Sequence, residues 1–170
     1  MRRALARAAL LLLCAAQPAS AALPASAALP RHGTLVPGRS LAGIRLGETA
    51  SDVREALGSS YGVCRGCARP TLYFTYGRFD RHGLAVELAR GRVSALYTLW
   101  QPEGWLAPGG LQLGAAEAQV TKLAGALIPL ACSGYDALVR DAPRARTAYY
   151  IVNGALWGFG LLQTRANPCR

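Results

Sequence analysis

The chain has 170 residues, 52% of them apolar, with 19 Lys plus Arg against 9 Asp plus Glu and a formal net charge of +10. That length fits one domain or two small fused units with a real core, and the apolar content excludes a largely disordered chain. Lys122 is the only lysine, and no dense basic run exists, so the charge reads as solubility and gives no ground for a nucleic-acid partner.

Met1-Arg2-Arg3 to Arg7 is a positive segment, and Ala8 to Ala16, centred on Leu10 to Leu13, is an apolar run too short to span a bilayer. Small-x-small sites follow at Ala19-Ser20-Ala21 and Ala25-Ser26-Ala27. Residues 1–21 therefore read as a signal peptide. Losing Arg2, Arg3 and Arg7 with it would bring the 19 basic side chains to 16 against 9 acidic, a net charge near +7. Cys14 raises the question of lipidation, but Leu13 stands where a lipobox wants a small residue. Residues 22–39, rich in Ala and Pro, read as a disordered arm. No later run is long and apolar enough for a transmembrane helix, so membrane contact is expected to be peripheral or absent.

Residues 40–101 form a first unit. Ile44 and Leu46 alternate with Arg45, and Gly47 permits a turn. Thr49 with Asp52 is a capping-box pattern, Val53, Ala56 and Leu57 make a helical stripe, and Gly58 supplies a stop. Three strands follow at 71–76, 83–88 and 92–100, with Arg90-Gly91 as a two-residue hairpin turn between the last two. Residues 102–109, with Pro102, Pro108 and paired glycines, are a linker.

Residues 110–170 repeat that grammar and add a C-terminal tail. Leu111 and Leu113 lead into Gly114, and Val120, Leu123, Ala124 and Leu127 form a stripe. Ala115 and Ala116 replace Glu48 and Thr49, so the N-cap is weaker, and Pro129 is expected to end the helix. Tyr135 to Arg140 is a candidate strand. Residues 147–152 and 155–162 flank Asn153-Gly154, the strongest short-range hairpin signal.

Gly47, Val53, Gly58 and Gly91, with their counterparts Gly114, Val120, Gly125 and Gly154, carry a resemblance over residues 40–164. The pattern resembles the small helix-plus-meander repeat of the SmpA/OmlA (BamE-like) envelope lipoproteins and its tandem version in β-lactamase-inhibitor-protein-like families. The expected fold is α+β: two tandem helix–βββ repeats forming one antiparallel sheet with helices packed on one face. The resemblance implies inhibitor-like or envelope-assembly-like protein binding. No inserted loop with an obvious acidic or aromatic inhibitory tip stands out.

Without Cys14, four cysteines remain: Cys64, Cys67, Cys132 and Cys169. An even number in an exported chain reads as disulfides, with three possible connectivities. Cys64–Cys67 and Cys132–Cys169 are favoured, one local and one tying down the tail. Redox catalysis by Cys64-Arg65-Gly66-Cys67 is the alternative, but such motifs normally open a helix and this one follows a helix. A zinc set of Cys64, Cys67, Cys132 and His82, or a triad of Asp80 and His82 with Ser94 or Ser133, fits by residue type only. No nucleophile elbow and no phosphate loop is present, so no catalytic residue, metal or other cofactor is expected.

The strands are apolar on both faces. One face must pack on the helices; the other is expected to show aromatics, with Tyr73, Tyr97, Trp100, Tyr149 and Trp157 as candidate binding residues. The functional expectation is a secreted or cell-surface, non-enzymatic module that binds a protein partner through this face. Thiol–disulfide exchange at Cys64/Cys67 is the alternative, and a structural part of the cell envelope is a third option.

Overall fold

Runs of β-branched and aromatic residues, punctuated by two-residue turns, dominate the computed structural model, which describes residues 28–170. The expected signal peptide, Cys14 and the start of the arm lie outside the described residues.

Short strands β1 (Leu35–Val36), β2 (Ser40–Leu41) and β3 (Ile44–Arg45) lead into helix α1 (Ala50–Leu57). Then come β4 (Gly62–Val63), β5 (Thr71–Thr75), β6 (Gly83–Ala89) and β7 (Arg92–Leu99). A small hairpin, β8 (Leu106–Ala107) and β9 (Leu111–Gln112), precedes α2 (Glu117–Ala124). The chain closes with β10 (Ile128–Cys132), β11 (Tyr135–Ala142), β12 (Ala145–Val152) and β13 (Ala155–Leu162). One eight-stranded antiparallel sheet results, in the order β10-β11-β12-β13-β7-β6-β5-β4. Its centre is a short seam where only Gly160 to Leu162 of β13 pair with Tyr97 to Ala95 of β7.

This corrects the expected fold class. The protein is mostly β, and two tandem helix–βββ repeats with a helix layer are not its architecture. The reason is partly length. Each helix has eight residues, about 12 Å at 1.5 Å per residue, against roughly 34 Å across eight strands. Each half of the sheet also holds four strands, because β4 and β10 add edges to the expected meanders. Pro129 does not end α2; Gly125 follows the helix, and Pro129 sits in edge strand β10, where a missing N–H is tolerated. Leu123, placed on the buried stripe from sequence, is 40% exposed.

The two halves do share one junction. The Gly47 N–H donates to the Val93 carbonyl (2.9 Å), and the Val93 N–H returns to the Glu48 carbonyl (2.8 Å). The Gly114 N–H donates to Leu156 (2.7 Å), and Leu156 returns to Ala115 (2.8 Å). Both turns need a left-handed residue: φ is +86° at Gly47 and +88° at Gly114. The caps differ. Thr49 Oγ1 accepts from the Asp52 N–H and Asp52 Oδ2 from the Thr49 N–H, whereas α2 has no side-chain cap. The backbone hydrogen bond from Thr49 holds the Asp52 carboxyl below its usual range.

The main core lies on one face of the sheet. Val53, Leu57, Val120 and Ala124 of the helices meet Phe74, Leu84, Leu96, Leu156 and Phe159 of the strands. The remaining cover comes from residues expected to be arm and linker. Leu35 and Trp105 are each 1% exposed. A Cβ on Gly33 would lie 2.4 Å from the Trp105 ring, so glycine lets the arm pass directly over the indole. Trp105 Nε1 donates to the Tyr76 hydroxyl (2.6 Å), which donates to the Pro30 carbonyl (3.0 Å). Within the stretch read as an arm, Gly33 and Leu35 are buried, while most of residues 28–39 stay exposed.

Candidate functional site

The second face of the sheet carries the other half of each alternation. In register across the strands it presents Tyr73, Ala85, Tyr97, Gly160, Ala148 and Val139. Among the described residues no helix covers this face. The tail does so in part, as residues 163–170 cross it after β13. The Gln163 N–H donates to the Ser94 carbonyl (3.0 Å), and Arg146 Nη1 donates to the Ala166 carbonyl (3.0 Å). At the far end the Tyr135 hydroxyl donates to the Arg170 carbonyl (2.8 Å). The Cys132–Cys169 disulfide fastens the tail to edge strand β10, and Cys64–Cys67 closes the loop between β4 and β5. This is the connectivity favoured from the sequence.

Between the tail, the Cys67 loop and the β7 and β13 ends lies a cleft of about 900 Å³. Tyr73, Tyr97, Tyr150, Trp100 and Trp157 are among the residues that line it. The Trp100 and Trp157 rings sit 5.9 Å apart at a tilt, and Tyr135 meets Tyr150 edge-on at 5.8 Å. Trp100, directly after β7, lies in the left-handed region (φ +55°), uncommon for a bulky residue, and is 46% exposed. Gly158 and Gly160 keep the floor low. A Cβ on Gly160 would lie 2.9 Å from the Tyr150 hydroxyl.

The polar part of the cleft centres on Glu87, 8% exposed. Arg69 Nη1 donates to Glu87 Oε1 (3.1 Å), Ser94 Oγ donates to the Glu87 carbonyl (3.2 Å), and Arg170 Nε lies 3.7 Å from Oε2. A buried carboxylate needs such partners. Arg170 and Arg81 also stack over Tyr97 (5.8 Å) and Trp100 (5.3 Å). Burial pushes the Tyr97 phenol up to about 12 and raises that of Tyr150 as well. The Tyr150 hydroxyl has no hydrogen-bond partner among the described residues.

Of the five aromatics singled out from sequence, Tyr73, Tyr97, Trp100 and Trp157 line the cleft. Tyr149 does not: it is 1% exposed in the opposite core, and its neighbour Tyr150 takes the cleft position. Sequence reasoning also missed Glu87 and Arg69; it tied the tail down through Cys132–Cys169 but did not place it across this face. It passed over Phe79, 91% exposed in the loop after β5. The other sequence constellations are not assembled. The cysteines of the zinc set are paired in disulfides. Asp80 Oδ1 lies 2.7 Å from His82 Nδ1, but Ser94 Oγ is bonded to Glu87, and Ser133 is an exposed turn residue. The backbone hydrogen bond from His82 holds Asp80 below its usual range.

Searched against known proteins, the chain matches no protein-family model and no curated protein. It is similar in structure to an extracellular protein containing a SCP domain from Bacillus anthracis str. Ames. The TM-score is 0.50 at 12% identity, covering 69% of this chain and 44% of that one. The likeness is one of fold. This chain spans less than half the length of that protein. Two disulfides fit a chain exported to an oxidising compartment. Among the described residues no helix is long and apolar enough to cross a membrane.

Proposed function

We propose that the protein is a secreted or cell-surface, non-enzymatic binding module that holds a protein partner on the second face of its sheet. The observation that carries this reading is the aromatic cleft beside Trp100 and Trp157, left open where a folded core would be closed. Four Tyr, two Trp and two Arg line it, the residue types enriched at binding hot spots. An uncommon backbone conformation at half-exposed Trp100 adds support, since such positions gather at ligand clamps. The rival, thiol–disulfide exchange at Cys64/Cys67, has less behind it. The pair sits between two strands, without the helix N-terminus that lowers a thiol pKa.

The test is photo-crosslinking. A benzophenone amino acid placed at position 100 or 157 is expected to capture one partner from the exported or envelope fraction. The same group at position 123, on the helix face, should capture none. Equal capture at 123, or capture at 123 alone, would remove the reading.

A further inference from the structure

Resting on that reading, we infer that the partner group taken by the cleft is an apolar side chain flanked by carboxylates, that is, an acidic–aromatic segment of a protein. The apolar part follows from the wall of Tyr73, Tyr97, Trp100 and Trp157. The charge follows from the groups around it. Arg69 and Arg170 line the cleft and Arg81 stacks on its Trp100 wall; among the described residues the side-chain carboxylate lining it is Glu87. Glu87 is already paired to Arg69 and Arg170 and lies 8% exposed, so it repels little. Arg69 uses one nitrogen on Glu87 while its side chain stays 51% exposed, which leaves guanidinium donors facing the opening. Guanidinium forks match carboxylates in geometry as well as charge.

An incoming carboxylate accepts from Arg69 and Arg170 in the cleft and meets Arg81 at its Trp100 wall, whereas an incoming ammonium would meet three guanidinium groups. The positive net charge, near +7 once Arg2, Arg3 and Arg7 leave with the signal peptide, favours the same partner over distance.

The test uses two blocked tetrapeptides, both with two central phenylalanines, one flanked by glutamates and the other by glutamines. Binding is read from tryptophan fluorescence of the exported protein. The glutamate peptide is expected to bind at least tenfold tighter. Arg69→Gln, at a half-exposed site, should erase most of that preference. Glu87→Gln, which frees two guanidinium groups, should tighten the glutamate peptide about threefold and leave the other unchanged. Equal binding of the two peptides, or none by either, overturns the inference. Neither result touches the wider reading if position 100 still crosslinks a partner. Free 1-naphthaleneacetate binding tighter than the glutamate peptide would also overturn it, by moving the site from a protein segment to a small acid.

Discussion

The two faces of the sheet draw on the same residue types and are finished differently. On the helix side, Phe74, Leu156, Phe159 and Trp105 are each at most 1% exposed, and arm, linker and both helices close over them. On the other side, the cover is a tail of a few residues held by one disulfide, and the aromatics at the β7 and β13 ends stay partly open. Aromatic strands are thus no guide to a binding surface by themselves. The strand alternation decides: Tyr149 and Tyr150 are neighbours, yet one fills the core and the other floors the cleft.

The largest effect expected from this contrast is on stability. Phe159→Ala should lose about 4 kcal/mol in urea denaturation, as for a large buried ring cut to alanine. Trp157→Ala, at the cleft, should lose about 1 kcal/mol or less, typical of positions outside the core. Similar losses at both would break the distinction between the faces. Next comes the tail. Its disulfide spans 37 positions, so replacing Cys132 and Cys169 by serine should cost about 3–4 kcal/mol. The Cys64–Cys67 pair spans 3, and its removal should cost roughly 2 kcal/mol or less.

Smaller effects sharpen the account. Thr49→Ala should lose about 1 kcal/mol by opening the capping box of α1. The smallest is a pH effect at the cleft. Tyr97 is raised from 10.0 to about 12, so the folded state favours its neutral form. That contribution is fully present below pH 10 and is lost as pH rises from there through about 12. Tyrosinate absorbance should show a late step in this range, and Tyr97→Phe should reduce its amplitude by one tyrosine, the other raised phenols, Tyr150 among them, remaining.

Several features were legible because local chemistry demands them. Arg90-Gly91 and Asn153-Gly154 form tight turns in which all four residues have positive φ, from +50° to +75°. The Thr49/Asp52 cap needs only its own neighbours. What stayed hidden depends on distant contacts. Strands apolar on both faces give no alternation to read, so the sequence offered Tyr149 for the cleft where the structure places its neighbour Tyr150. Trp105 looked like a linker residue because its partners, Gly33 and Tyr76, lie far away in sequence. Two-residue strands such as β4 are too short to carry a pattern. Nothing in the tail's composition shows that it crosses the sheet.

The central claim is that the helix-free face is the binding face. Aromatic-region NMR spectra recorded while the glutamate peptide is added test it most directly. The account predicts shifts at Tyr73, Tyr97, Trp100 and Trp157, with Trp105 and Tyr149 silent. Shifts at Trp105 or Tyr149, with the cleft aromatics unmoved, would contradict it.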